Sequence, residues 1–522
     1  MKGEIKMSGR INLDNMSDDF KSYIQDLDHQ VKVNNNNINN NTKKLNKIYY
    51  NVSDFEEYVV DGDWAIAINK TIEIANQNKG RILLDGIYDI KSTIFVPSET
   101  TIEGYGFSWS GACGIRCVIG GITAIEIQGV GITLENFSVT CTKRFDDYTH
   151  GIVLDSSAGW HSFNNYKNIR IVNFNGHGIK FDSIHDSYVE NISVEFCGNK
   201  DYYAFEVTSH NDTSNHTIFT RIQAEQCYYK IINIDGNVMN CTFENIHSER
   251  AIIEEENDIY NYQLSGYRNT FTNSRIESEK IPRIRTGGET NYYSTMIGNG
   301  HIFDDCGGRV FYTYINCSIN KFTILNIGKP RLQDCNINEL TISGECGTFD
   351  NCSIHKLNAK YSGGDKTFTN CLIKDITNDT MFINSWYYNC KFGLNDLTEI
   401  NLCPSGYYYN CEFEGNSIIN YSTNVKIQSC LFKNNFTLSG NNASCEMICS
   451  TVEGDCSRVG NNYFVNILNN FKGTSMHVDS ERDKILLLWS QSQENSVATD
   501  ISTLKNDFNI LLSNLRNAGV LK

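Results

Sequence analysis

Val-Glu-Asn-Ile-Ser-Val-Glu (189–195), Phe-Thr-Arg-Ile-Gln-Ala-Glu (219–225), Phe-Glu-Asn-Ile-His-Ser-Glu (243–249) and Phe-Thr-Asn-Ser-Arg-Ile-Glu (271–277) are copies of one short pattern, spaced by 30, 24 and 28 residues. A repeat of this length built on short strand patterns marks a solenoid, in which each copy is one coil stacked on the next. Equivalent residues then form files along the axis. Stacked strands lie ~4.8 Å apart, so Glu195, Glu225, Glu249 and Glu277 are expected in a column at that spacing. Two like charges at ~5 Å repel by roughly 0.8 kcal/mol in water and ~3 kcal/mol at an effective dielectric of 20. A chain that needed only a wettable surface has less repulsive residues to place there.

The same slot holds Thr140 and Val172 before the glutamates, and Asn320, Asn338, His355, Lys374, Gly393, Glu414 and Lys433 after them. The acidic file is therefore an island in the middle coils. The step from Glu277 to Asn320 is too long for one plain coil; it holds an extra coil or a loop, and Ile281–Tyr293 with Gly287-Gly288 is the expected loop. Farther on, Cys317, Cys335, Cys352, Cys371, Cys390, Cys411 and Cys430 recur at 18, 17, 19, 19, 21 and 19 residues, mostly in Asn-Cys-x-Ile/Phe. One cysteine per coil in a fixed slot reads as a stack of small buried thiols. Cys and the Ile two places on share parity and face the core.

With 522 residues, the chain is long enough for two to four ordinary domains or one long solenoid, and four prolines are few enough for many strands. The formal charge of −16 argues against nucleic acid or an anionic membrane surface as partner. No segment approaches ~18 consecutive apolar residues, and Met1–Gly9 lacks the apolar core of a secretory signal. No cofactor is implied. No metal site is expected either, since Cys113/Cys117 and Cys445/Cys449 each have three intervening residues and no second pair nearby.

Four segments follow: 1–55, an attachment segment with a coiled coil; 56–106, a capping helix and the entry to the solenoid; 107–472, the trunk; and 473–522, a C-terminal helical segment. In the first, Phe20, Ile24, Leu27, Val31, Asn34, Ile38, Asn41, Leu45 and Ile48 keep a seven-residue period over a helix expected at 16–50. In the second, Asp63 is placed to cap a helix with apolar positions Trp64, Ile68, Ile72 and Ala75. In the last, Ile501, Leu504, Phe508, Leu511, Leu515 and Ala518 repeat the three-four spacing.

Beyond the capping helix, Arg81–Leu84, Gly86-Ile87-Tyr88, Thr93–Val96 and Thr101-Ile-Glu-Gly-Tyr-Gly106 read as short strands broken by turns. This order resembles the pectate-lyase-like family of right-handed parallel β-helices, to which many phage tailspikes belong, although Leu84-Asp85 stands where many members have a proline. The resemblance implies an all-β, right-handed parallel β-helix. Ile38–Leu45 is similar to the Asn-layer pattern of trimeric coiled coils in fibrous phage proteins, and Asp507–Gly519 resembles the ends of structural proteins from phages of low-GC Gram-positive bacteria. A homotrimer, joined to the phage tail or baseplate through its N-terminus, follows as an expectation. So does a virion location after synthesis in the host cytoplasm.

Candidate chemistry centres on the column. Glu225 and Glu249 are its middle members, with Glu195 and Glu277 outside them. Adjacent carboxylates at ~4.8 Å approach the ~5–5.5 Å of a retaining glycosidase pair, and alternate ones at ~9.6 Å reach the upper edge of the inverting range. A solvated face or a cation site is the competing reading. Arg221, Arg250 and Arg275 on the same coils are candidates to hold an anionic polymer or to form plain ion pairs. Trp160 and His161 in the insertion Thr149–Tyr166, with Tyr202 and Tyr203 after Cys197-Gly198, are the candidate sugar platforms. The function expected is depolymerisation of a host surface polysaccharide or wall glycan by a carboxylate pair. Polysaccharide lyase chemistry, teichoic-acid phosphodiester hydrolysis and a non-catalytic receptor-binding appendage are the competing readings.

Overall fold

Each coil of the trunk is built on a strand that bends once and continues, and the bend is made by a residue in the left-handed region. In Tyr188–Glu195, Val189 points inward, Asn191 turns the corner at φ 55°, and Ile192 and Val194 point inward again. L-residues other than Gly, Asn and Asp avoid that region at a cost of roughly 1–2 kcal/mol. Asparagine accordingly fills the corner in coil after coil: Asn136, Asn168, Asn245, Asn273, Asn316, Asn351, Asn370, Asn389 and Asn410 all have φ between 50° and 65°. Their amides bond along the axis, Asn168 Nδ2 donating to Asn136 Oδ1 at 2.8 Å, Asn191 to Asn168 at 2.8 Å, and Asn410 to Asn389 at 2.8 Å. The Asn of the Asn-Cys-x-Ile pattern is thus the corner, and the Cys is the first inward residue after it.

This computed structural model describes residues 18–45 and 49–472, less short internal stretches, together with Lys505, Phe508, Asn509 and Ser513. Its strands pair in parallel from Tyr49–Asn51 to Asn470–Phe471, and a short parallel ladder of Glu399–Asn401, Asn416–Ile419, Phe436–Leu438 and Cys456–Arg458 closes one side of the C-terminal coils. The fold is a parallel β-helix, of the right-handed sense that connections between parallel strands almost always take.

The interior is stacked by residue type. Phe219, Phe243, Phe271, Tyr292 and Tyr314 form one aromatic file with centroids 4.6–5.2 Å apart, and Phe349, Phe368, Tyr387 and Tyr408 continue it. The repeating cysteines are buried free thiols, as their spacing predicts. Each stands under the previous coil, with Cys335 Sγ 3.4 Å from the Tyr314 carbonyl oxygen and Cys352 Sγ 3.5 Å from that of Leu332.

Asp63 caps the helix Trp64–Gln77 by accepting from the Ala65 amide at 3.0 Å, and Ala65, Ile68, Ile72 and Ala75 close the end of the core. Gly104, in the Thr-Ile-Glu-Gly turn, lies so close to the Asn136 carbonyl and Cys113 that a Cβ would collide with both. Asp85, in the place where the resembled family often has proline, accepts from the Ser53 and Tyr88 hydroxyls and ties the cap to the first coil.

Two expectations are corrected. The first helix runs Asp18–Leu45 and not to 50, because Tyr49–Asn51 takes ladder bonds from Arg81–Leu84 instead. Ile281–Tyr293 is not a loop: Arg283–Thr286, Glu289–Tyr293 and Met296–Asp304 are strands, so the long step to Asn320 holds an extra coil. On the first helix, Leu27 and Val31 lie exposed at 45% and 50% in the single chain. The expected C-terminal helix, Ile501 to Ala518, lies almost wholly outside the described residues; Lys505, Phe508, Asn509 and Ser513 are helical and exposed.

Two measurements test this account. Asn389→Ala, which loses the ladder bonds and strains the corner, is expected to lower stability by about 2 kcal/mol, while Asn389→Gly, free of the strain, lowers it less; urea midpoints decide. Among the described cysteines only Cys449 is exposed, at a corner with φ 49°, so a thiol reagent should modify it in the native protein and the other described thiols only after unfolding.

Candidate functional site

The glutamates form the column that their spacing predicts. Glu195 lies opposite Glu225 and Glu225 opposite Glu249 in the strand register, and the Glu277 amide continues the file by donating to the Ser248 carbonyl at 2.8 Å. Two residues earlier on the same face runs a second file of Arg170, Ser193, Gln223, His247 and Arg275. That neighbour decides what each carboxylate is able to do.

Glu195 is buried and fully engaged. Arg170, from the coil before, grips it with Nε to Oε1 at 2.9 Å and Nη2 to Oε2 at 2.7 Å, and Ser193 Oγ donates to Oε1 at 2.9 Å. The pair holds the Arg170 guanidinium above its ordinary pKa range, chiefly through these hydrogen bonds. At the other end, Arg275 Nη2 donates to Glu277 Oε1 at 2.6 Å. The middle members differ. Glu225 accepts from the Gln223 amide, an uncharged donor. Glu249 has the His247 ring beside it, Nε2 to Oε2 at 3.9 Å, and that Nε2 is buried without a hydrogen bond. Both glutamates are half-buried. The column is thus a central Glu225–Glu249 pair between two arginine-neutralised ends.

The arginines chosen from sequence mostly stand elsewhere. Arg221 occupies an Asn-ladder corner at φ 56° and pairs with Glu190 on the neighbouring face. Arg250 sits at the corner after Glu249, φ 53°, and is exposed. Arg275 alone lies in the column's own face. The residues that sequence reading missed are Arg170, Gln223 and His247. Their signal was present two places before each slot, where alternation returns the side chain to the same face.

Trp160 is 67% exposed and lies over His185, centroids 5.8 Å apart at 30°. His161 is corrected: it is fully buried with Nδ1 3.1 Å from the Gly129 carbonyl oxygen, because it alternates inward as its neighbour points out. Tyr203 is turned into the protein, its hydroxyl donating to the Tyr260 carbonyl at 3.3 Å under the Lys230 ammonium, and burial pushes its phenol up to about 12. Tyr202 is half-buried, set edge-on to Tyr148, His150 and His177 with centroids 4.9 Å apart.

That aromatic group adjoins a polar network beyond the column's corner. His177 Nδ1 is 3.0 Å from the Tyr203 carbonyl and 3.2 Å from Glu206 Oε2, and Asn233 donates to Glu206 Oε1 at 2.7 Å. Burial raises the Glu206 carboxyl, against the opposing Asn233 bond. One coil earlier, buried Asp182 holds His210 Nδ1 at 2.9 Å, a partner that the sequence did not reveal.

No protein-family model and no curated protein matches the chain. Among solved structures it is similar to the N-terminal fragment of gene product 12 of bacteriophage phi29, at 10% identity and TM-score 0.45, covering 86% of this chain and 96% of that one. It is similar to ORF18 of Geobacillus virus E2 at 15% identity and TM-score 0.36, covering 66% of this chain and 63% of that one, so it spans less than two thirds of that protein. A tailspike protein of E. coli bacteriophage HK620, solved with a hexasaccharide, is similar at 9% identity and TM-score 0.33, over 83% and 80% of the two chains. At such values the likeness adds nothing to what the strand register establishes.

The histidines give a pH test. Burial lowers His150 and His177 to about 4, and mutual repulsion adds to the effect on His150. His150 Nδ1 accepts the His177 amide at 3.0 Å, which requires it unprotonated. A depressed folded pKa contributes stability above the unfolded value near 6.5 and loses it as pH falls toward 4, up to roughly 3 kcal/mol for each ring. The urea midpoint should therefore drop steeply between pH 6.5 and 4, and His150→Gln should flatten that slope.

Proposed function

We propose that the chain is a phage tail appendage that binds a host cell-surface polysaccharide and cleaves it with Glu225 and Glu249. The observation that carries this reading is their isolation as a pair: opposite one another on adjacent strands, half-buried, with Glu195 and Glu277 each neutralised by an arginine. One strand spacing of ~4.8 Å is near the ~5–5.5 Å of a retaining pair, in which one carboxyl protonates the departing glycosidic oxygen and the other attacks the anomeric carbon. Arg170 and Arg275 at the two ends offset the negative wall that an approaching anionic chain would meet. Exposed Trp160 and half-buried Tyr202 present ring surface for sugars. The helix Asp18–Leu45, with apolar Leu27 and Val31 exposed, serves as the oligomerising and tail-attaching segment of a homotrimer.

His247 favours one second reading. Its imidazole nitrogen, without a hydrogen bond and 3.9 Å from Glu249, is the kind of base that a polysaccharide lyase requires.

The test is incubation of the full chain with host surface polysaccharide, reading reducing ends, absorbance of unsaturated uronates and new phosphomonoester ends, the last as inorganic phosphate set free by added phosphatase. Glu225→Gln and Glu249→Gln are each expected to lower the rate by at least ~100-fold with binding retained. Activity that survives both changes places the chemistry elsewhere. Unsaturated products abolished by His247→Gln establish the lyase, new phosphomonoester ends establish phosphodiester cleavage, and binding without any product leaves a receptor-binding appendage.

A further inference from the structure

On the sheet face before the Asn corner, two outward files carry aromatic side chains in consecutive coils far from the glutamates. One runs Trp386, Tyr407, Lys426, Glu446 and the other Tyr388, Tyr409, Gln428, Ile448, each in register strand to strand. The files are two residues apart along each strand, roughly 7 Å. Between them lies a groove of about 380 Å³, floored by the strands at Tyr408 and Ile427 and running along the solenoid axis. Seven strand pairings separate His247 from Lys391, which follows Trp386 in its coil, so the groove lies roughly 34 Å along the axis from the Glu225–Glu249 pair.

Its walls are ordered. The Trp386 and Tyr407 rings stack at 4.1 Å and 8°, and the Lys426 ammonium covers the Tyr407 ring at 5.5 Å. Tyr409 is turned 53° out of line with Tyr388, their centroids 6.2 Å apart, and is the most exposed of the four rings at 46%. Lys426 and Glu446 pair at 3.8 Å, so the groove carries no net charge on a chain whose total is −16. The file from Phe219 to Tyr408 points inward; these two point out.

We infer that this groove binds uncharged pyranose units of a linear polysaccharide, as a second site separate from the Glu column. Amphipathic rings with polar tips match the flat apolar faces and equatorial hydroxyls of a sugar. A cleft of this size takes a few ring-sized units, and its axial run suits a linear chain. The internally paired Lys426 and Glu446 offer hydrogen bonds without selecting a charged ligand. The ligand class rests on the proposed polysaccharide reading, whereas the site does not depend on cleavage.

The experiment uses the full chain and four hexasaccharides, those of chitin, cellulose, amylose and polygalacturonate, with Kd read by calorimetry for wild type, Trp386→Ala, Tyr409→Ala and Glu225→Gln. The expected result is that an uncharged hexasaccharide binds wild type and Glu225→Gln equally, binds Trp386→Ala and Tyr409→Ala at least about tenfold more weakly, and outcompetes the polygalacturonate hexamer. Circular dichroism and sedimentation mass control for fold and assembly; exposed Tyr409→Ala is the variant that keeps the test informative should Trp386→Ala fail to fold. No binding of any uncharged hexasaccharide, undiminished binding by Tyr409→Ala, or a change of mass in place of a change of affinity overturns the site, the last by making this face a contact between copies. Retained groove binding with no cleavage overturns only the catalytic reading.

Discussion

The left-handed corner is the constraint on which the rest of this trunk depends. A parallel coil closes only if the chain bends at the same point in every turn, and a bend that keeps side chains alternating in and out on both sides needs one residue at positive φ. Asparagine meets that demand at low strain and uses its amide to bond to the corner above and below. Once the corner is fixed, the inward positions follow, and the aromatic and cysteine files stack because every coil presents the same residue at the same height.

The asparagine ladder has exceptions, among them Ser294, Asp334, Ser429 and Cys449, and one lies beside the glutamates. Arg221 replaces asparagine at the corner of the coil that carries Glu225, whereas Asn245 keeps it in the coil of Glu249 and Arg250 stands at a second corner, in file with Phe196 and Gln226. A long cation at a strained corner gains no ladder bond. It gains reach, which Arg221 uses toward Glu190 across the corner. Around the column the interactions shift from coil-to-coil amide bonding toward charge pairing, with Arg170 and Arg275 quenching the two ends. Buried charges persist when paired and hydrogen-bonded, and Glu195 meets that condition with three donors. The middle pair is half-buried, with Gln223 and His247 beside it in place of arginines.

The solenoid presents long files, so distinct surfaces arise by changing one file over a few coils. The glutamate island and the outward aromatic groove are two such changes on adjacent faces. Both leave the inward positions buried, and the core therefore tolerates them.

Much was legible in the sequence because period and parity are local. The recurring Glu and Cys slots, the Asp63 cap, the buried thiols and the in-register column follow from spacing and alternation alone, since a strand sends every second side chain to one face. The sequence did not tell an extra coil from a loop between Glu277 and Asn320, because Gly287-Gly288 punctuates the sequence between the strands Arg283–Thr286 and Glu289–Tyr293. Nor did it separate His161 from Trp160, whose facing is set by where a two-residue strand pairs. That an arginine neutralises Glu195 was decided only by tertiary structure: Arg170 lies 25 residues before Glu195 in the chain, and the stacking of one coil on the next turns that separation into a hydrogen bond.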